Sequence, residues 1–410
     1  MTLPVSVVVV SRGRRDSLVL TLVGLSRLFY PNYEIVVVAD SEGLEAVKLA
    51  RMNDEVKTVP FADPNIAEAR NRGIAVAAGE VIAFIDDDAV PEPTWLNNLV
   101  APFADAQVSA VGGFVRGRNG ISFQWKAQSV DHTGRATPLH IDESRSTVLT
   151  PPAGQAIKTE GTNMAFRRDV LAGIGGFDPA YRFYLDETDL NMRLAKARRV
   201  TALAPLAEVH HAFAPSARRL ASRAPKDLFE IGASLSCYLR RHCPEPERSS
   251  VVERFCRERN DTLIEHMVAG RLEPGDVRRL RQRLRDGIRA GETRSLTPLP
   301  ALPHSKAPFL HFASRVKDRG TVVAGRVFAR KRLRALARRK AKEGHSVSLF
   351  VFSPTALFHR VGMTRDGVWE QSGGLWGKST RTDPWFALTG FQRRLKHEKT
   401  RVAAVRGIPN

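Results

Sequence analysis

Asp86, Asp87 and Asp88 stand in a row behind the apolar run Val81–Ile85, with Pro91 and Pro93 close after them. A β-branched and aromatic run that meets turn residues predicts a buried strand, so the three carboxylates are expected at its tip. Neighbouring anions repel one another and resist burial. The residues alone leave two readings: a solvated acidic turn, or a hard divalent cation that also carries a phosphate ligand. A second acidic group, Asp186-Glu187, opens a helical pattern that carries Leu190 and Leu194 on one side, and Val209-His210-His211 follows. The helix dipole by itself favours carboxylates in a first turn.

The elements that must position these groups alternate. Residues 3–10 form a continuous apolar run of the kind covered on both faces in a parallel sheet. Asp16 can cap a helix carrying Leu18, Leu22, Leu25 and Leu28, and Glu34–Val38 is a second strand that delivers Asp40. A helix over about 43–52, a short strand over 56–59 and a helix opened by Asp63-Pro64 lead to the central strand. This alternation predicts α/β units on an open, twisted, mainly parallel sheet flanked by helices, with ligands bound outside the carboxyl ends of the strands. Ser11, Arg12, Asp40 and Asp86–Asp88 then share one rim. Further on, a helix is expected over 95–103, a strand over 108–115, a long polar excursion over 117–155, two short strands around a glycine turn over 156–166, and a short strand over 200–203.

Composition sets bounds on this reading. The chain of 410 residues is 43% hydrophobic and 26% charged, long enough for two or three domains with a real core. Residues 1–225 hold 25 basic and 25 acidic side chains, so the whole net charge of +20 falls on 226–410. That asymmetry predicts that the second part faces something anionic. Cys237, Cys243 and Cys256 form no C-x-x-C pair and read as reduced thiols of a cytosolic compartment. The start carries no basic leader, and the absence of an apolar window of about 18 residues predicts no transmembrane helix, hence a soluble or peripheral protein.

Four pieces in order carry a family resemblance: Val5–Arg14; Glu34–Ser41; Ala69–Ile74 with Gly79–Asp88; and Gly161–Met164 with Gly175–Asp178, Asp186–Leu190 and Val209–His211. Residues 3 to about 220 thereby resemble the family-2 glycosyltransferases of the GT-A fold. The resemblance implies an inverting enzyme that uses a nucleotide-sugar donor with Mg²⁺ or Mn²⁺. Asp40 is similar to the acidic residue that contacts the nucleotide base, with Ser11, Arg12 and Arg70 beside it. Asp86, Asp87 and Asp88 are similar to the motif that touches the ribose and holds the metal, and His210 or His211 to a further metal ligand. Thr162 and Asn163 lie where the family lines the donor pocket. Glu187 resembles the general base of an acidic pair completed by Asp186. A carboxylate in reach of an acceptor hydroxyl suits that proton transfer, and a metal neutralises the leaving diphosphate. The first of two adjacent aspartates usual in the family is here Ala39, and the acidic pair is reversed in order. Those two features motivate the competing reading, a module that binds a sugar nucleotide or scaffolds an assembly without turnover. Gln392-Arg-Arg-Leu does not fit the signature of processive membrane synthases, which implies a non-processive enzyme.

On these grounds 1–225 is expected to be the catalytic domain, 226–294 a helical extension, 295–310 a proline-rich linker, and 311–410 a basic helix plus a small α/β unit of unassigned function. Arg326–Lys342 presents a cationic face with three readings, a solvated surface, adsorption to an anionic leaflet, or nucleic-acid binding, for which no motif with interleaved aromatics appears. The implied acceptor is a glycan or lipid-linked hydroxyl in cell-surface polysaccharide or glycolipid synthesis, met in the cytoplasm at the inner face of the plasma membrane.

Overall fold

The computed structural model describes residues 2–212, 218, 220 and 222–409. The first half builds β1 (Val5–Ser11), α1 (Arg15–Leu25), β2 (Tyr33–Ala39), α2 (Ser41–Leu49), β3 (Lys57–Pro60), α3 (Ile66–Val76), β4 (Val81–Asp86), β5 (Ala89–Pro91) and α4 (Trp95–Val100). It continues through β6 (Val108–Arg116), β7 (Phe123–Trp125), β8 (Gln128–Asp131), β9 (Ala136–Pro138), β10 (Thr147–Leu149), β11 (Gln155–Lys158), β12 (Met164–Arg167), α5 (Arg168–Gly173), α6 (Asp186–Lys196) and β13 (Val200–His211).

The valine-rich runs become the inner strands. The main sheet has the order β10-β13-β6-β12-β4-β1-β2-β3. β1 pairs in parallel with β2 and β4, β2 with β3, and β6 with β13, while β12 runs antiparallel between β4 and β6. Helices cover both faces, so Val7, Val9, Ile35 and Val37 pack into one core layer and Val8, Val36 and Val38 into the other. The protein thus has the mainly parallel α/β sheet flanked by helices that the alternation predicts.

Two expectations are corrected. The stretch 117–155 is not an unordered excursion: β7 joins the main sheet beside β6, and β8 and β9 pair with β11 in a three-stranded antiparallel sheet. Strands of three or four residues with few apolar side chains carry too short a period to read. The strand begun at Val200 continues to His211, with its register shifted between Ala204 and Glu208, around Pro205.

α7 (Phe229–His242), α8 (Glu245–Val268) and α9 (Pro274–Thr293) then form a helical layer whose apolar stripe includes Leu235, Leu280 and Leu284. The proline-rich stretch that follows lies along the first unit: Leu302 N donates to Ala172 O (2.9 Å) and Phe312 N to Tyr33 O (2.8 Å). Last come β14 (Asp318–Arg326), α10 (Arg330–Lys342), β15 (His345–Ser353), β16 (Arg360–Met363), β17 (Val368–Gly374) and α11 (Phe391–Arg406), a small α/β unit ordered β14-β15-β17-β16. It docks on the N-terminal half through Val361 and Trp369 against Val90 and Ile121. Among the described residues no helix is long and apolar enough to cross a membrane.

Candidate active site

β1, β2 and β4 end at one edge of the sheet. Asp40 follows β2 and caps α2, its carboxylate accepting from Gly43 N (3.0 Å) and Gly13 N (2.8 Å) while staying partly exposed. Arg12 is exposed, its Nε donating to Ala62 O (2.8 Å). Ser11 turns inward and donates to Asp87 Oδ2 (2.7 Å).

The three aspartates separate by role. Asp87 is buried and already held, by Ser11 and by Arg14 NH1 (2.8 Å). Burial pushes its carboxyl up to about 7 despite Arg14, and Asp88 and Asp86 push the same way. The resemblance placed Asp87 against the donor; its side chain instead braces the turn against the N-terminus of α1. Asp86 is one-third exposed, with 32% of its side chain open, and Asp88 is buried. Ligand atoms of Asp86, Asp88 and His211 lie within 4.8 Å of one another.

His211 fits a cation there. Its Nδ1 faces Gln124 Oε1 (3.1 Å) and its ring stacks on Trp125 (5.7 Å, 27°). With Nδ1 donating to Gln124, the Nε2 lone pair faces Asp88 Oδ1, 3.2 Å away. A proton on Nε2 or a bound cation would each satisfy both groups. Two carboxylates and an imidazole make a donor set suited to Mg²⁺ or Mn²⁺. His210 does not join this set, because adjacent residues of a strand face opposite ways. It is buried with Nε2 2.8 Å from Glu92 Oε1 and its ring 4.5 Å from Trp369. Glu92 there is paired with Arg406, and Glu208 with Arg116, so guanidinium groups neutralise this second acidic cluster.

The second carboxylate pair reaches the same rim from α6. Tyr184 (φ 74) and Leu185 (φ 64) both adopt the left-handed backbone region, a strained pair for side chains of that size, and present Asp186 and Glu187 in the first turn. Asp186 is buried against Arg70 of α3, whose NH2 also donates to Gly161 O (3.2 Å) and lies 3.7 Å from Asp86 Oδ1. A Cβ on Gly161 would sit 2.6 Å from that NH2, so the turn residue must be glycine for Arg70 to pass. Burial holds the Asp186 carboxyl up at about 8, with Arg70 pulling it down and Glu187 pushing it further up. Glu187 keeps 18% of its side chain open and has Lys158 Nζ 4.0 Å from Oε1. Burial opposes the charge on Lys158, yet Glu160 (2.5 Å) and Glu187 hold it protonated.

Arg70, Asp186 and Glu187 therefore meet Asp86 at one edge, but Asn163 does not line a pocket. It is fully buried, accepting from Trp95 Nε1 (2.8 Å) and donating to Phe114 O (2.9 Å) and Ala207 O (2.7 Å). Its amide is saturated inside the core, which removes it from the donor-binding set. Gly113 makes room, since a Cβ there would lie 2.4 Å from Asn163 Nδ2. The hydroxyl of neighbouring Thr162 is buried without a hydrogen-bond partner among the described residues. Sequence reasoning assigned no role to Arg14, Lys158, Glu160, Gln124 or Trp125. Lys158 and Glu160 alternate along an extended segment and share a face, a readable signal; nothing local marks Gln124 or Trp125.

Residues 6–175 match the family described as Glycosyl transferase family 2. Relatives include a glucosyl-dolichyl phosphate glucuronosyltransferase of Haloferax volcanii, 27% identical over 194 residues, covering 43% of this chain and 56% of the relative. Another is the O-antigen biosynthesis protein RfbC of Myxococcus xanthus, 28% identical over 238 residues, covering 54% of this chain and 18% of the relative. A pre-mycofactocin glycosyltransferase of Mycobacterium tuberculosis is 29% identical over 150 residues, 35% of this chain and 29% of the relative. The chain thus spans between 18% and 56% of the length of these relatives. A mannosyltransferase of Pyrobaculum calidifontis, solved with GDP-Man and Mn²⁺, is 15% identical and covers 72% of this chain and 89% of its own at a TM-score of 0.44, too loose a likeness to bear on the fold. The matched segment runs from β1 through α5 and contains the aspartate rim and Arg70, so over residues 6–175 the chain is similar to glycosyl transferase family 2.

Proposed function

We propose that the protein is an inverting, non-processive glycosyltransferase that moves a sugar from a nucleotide-sugar donor to a hydroxyl of a glycan or lipid-linked acceptor. The observation that carries this reading is Arg70, which pairs with Asp186 and lies 3.7 Å from Asp86, so that a cation-binding cluster and an open carboxylate share one rim. Asp40 and Arg12 receive the nucleotide at the ends of β2 and β1. Asp86, Asp88 and His211 hold Mg²⁺ or Mn²⁺, which when bound offsets the charge of the leaving diphosphate. Glu187 takes the acceptor proton as the hydroxyl oxygen bonds to the anomeric carbon. The bond from that carbon to the diphosphate breaks with its electron pair on phosphate, and a single displacement inverts the centre. Asp186 positions Arg70, and Lys158 Nζ stands 4.0 Å from Glu187 Oε1.

The same reading places the work in cell-surface polysaccharide or glycolipid synthesis at the inner face of the plasma membrane, with Arg326–Lys342 near anionic headgroups. Lys331, Arg332 and Lys342 of that stretch are exposed, whereas Arg334 and Arg338 are paired with Glu370 (2.7 Å) and Asp366 (2.8 Å). The test is a panel of nucleotide sugars incubated with purified protein and Mn²⁺, read as nucleoside diphosphate released. Turnover of one or two donors is expected; no release from any donor contradicts the assignment.

A further inference from the structure

Five large apolar side chains, Leu357, Phe358, Trp385, Phe386 and Leu388, stand 53–79% exposed on the C-terminal unit. They belong to two loops, 354–359 and 375–390, that hydrogen-bond to each other: Gly374 N, at the edge of the second, donates to Leu357 O (2.8 Å), Trp376 N to Thr355 O (3.2 Å) and His359 N to Lys378 O (2.9 Å). The Phe358 and Trp385 rings are 5.5 Å apart, and Lys378 Nζ lies 5.0 Å from the Trp385 ring centre. The Phe358–Trp385 contact and the hydrogen bonds between the two loops bring these exposed side chains onto one joined pair of loops. The second loop is held by polar groups, Asp383 Oδ2 accepting from Ser379 N (2.8 Å) and Thr380 N (2.9 Å), while its Trp385, Phe386 and Leu388 remain outside.

The rim of this face is cationic. From 371 to 397 the chain has five Lys or Arg and one acid, Asp383, which that turn already occupies. Arg360, Arg381, Arg393 and Lys396 are exposed. Exposed aromatic side chains on a segment rich in lysine and arginine complement an anionic bilayer, whose acyl boundary takes the rings and whose headgroups take the charges. The face also lies beside the candidate active site. Arg381 Nε donates to Ser122 Oγ (3.2 Å), and two residues further on Gln124 meets His211.

We propose that the loops 354–359 and 375–390 seat the protein on an anionic lipid bilayer, with Phe358, Trp385 and Phe386 entering the headgroup boundary and Arg360, Arg381 and Arg393 meeting lipid phosphates. This surface is distinct from α10 and does not depend on which donor or acceptor is used. Flotation of the full chain with phosphatidylcholine vesicles, with and without phosphatidylglycerol, tests it. Wild-type protein is expected to float with the anionic vesicles and hardly with the neutral ones. Trp385→Ser should weaken partition about tenfold, the effect of withdrawing one large apolar side chain from the boundary, and Trp385→Ser with Phe358→Ser should abolish it. Both sites are solvent-facing, so melting temperature and acceptor-free donor hydrolysis should stay at wild-type values. Vesicle binding by the double variant equal to wild type overturns the proposal, as does the absence of wild-type binding to either vesicle. Self-association of wild type that Trp385→Ser abolishes, without vesicle binding, would assign the face to a second copy of the chain instead. Vesicle binding without turnover of any donor would leave the seating in place and remove the catalytic reading.

Discussion

Removing Arg406 from its pocket should separate the N-terminal half from the C-terminal unit more effectively than any surface change. The guanidinium is 1% exposed, donates to both carboxylate oxygens of Glu92 (2.9 Å each) and lies 4.7 Å from the Trp369 ring centre. Glu92 is likewise 1% exposed, and its remaining side-chain partner is His210 at 2.8 Å. Burial alone would raise the Glu92 carboxyl, but Arg406 and His210 hold it down at about 2 against an ordinary 4.5. A depression of that size corresponds to about 3 kcal/mol at neutral pH, and breaking a buried pair from one side costs roughly 3–5 kcal/mol. Arg406→Met keeps an unbranched side chain as far as the Nε position and removes the charge. For cooperative units of this size the loss should lower the melting temperature by roughly 5–15 °C. Calorimetry of the full chain is the assay, with Glu92→Gln and the double variant completing a cycle. The double variant should recover part of the loss, because no buried charge is left unpaired. Because the folded carboxyl is depressed, this contribution is present above about pH 4.5 and is lost as pH falls through 4.5 toward 2. A single variant that melts within about 1 °C of wild type, or a double variant as unstable as the sum of the singles, refutes the reasoning.

Other expectations follow from the same packing. Asn163→Ala should cost several kcal/mol, since Trp95 Nε1 and two buried carbonyls lose their partner, while the folded fraction keeps its donor KM; a raised KM at unchanged stability contradicts this. His210, His242 and His359 are all held below 6.5 by burial, so their stabilising neutral forms are favoured above that pH. Urea midpoints should fall as pH drops through about 6.5, and a flat profile from neutral pH to about 5 is the contrary result. Gly161→Ala should displace Arg70 from buried Asp186 and lower both kcat and the melting temperature; wild-type values of both are the contrary result.

What was legible in the residues follows their locality. Val-rich runs and the alternation of strands with helices are local signals, and they carried the sheet and brought Asp40, Asp86 and Asp88 to one edge. The order of Asp86, Asp87 and Asp88 along the chain does not say which side chain turns inward; that depends on Ser11 and Arg14, more than seventy residues earlier. His210 and His211 had to face opposite ways once they lay on one strand, but which one meets the aspartates is set by the register shift around Pro205. Asn163 stood inside a motif that the resemblance assigns to ligand, and its burial comes from Trp95 on a distant helix. Arg406 lies 314 positions from Glu92 and carries no local mark.

The division of labour between the cation cluster and Glu187 is the central claim. It is tested most directly by titrating Mn²⁺ and the accepted donor into Glu187→Gln and Asp88→Asn by calorimetry, with turnover measured in parallel. Glu187→Gln should bind donor and Mn²⁺ as wild type does and lose about 10²–10⁴-fold in kcat, whereas Asp88→Asn should lose the Mn²⁺-dependent part of donor binding. Wild-type turnover by Glu187→Gln, or undiminished Mn²⁺ binding by Asp88→Asn, would contradict it.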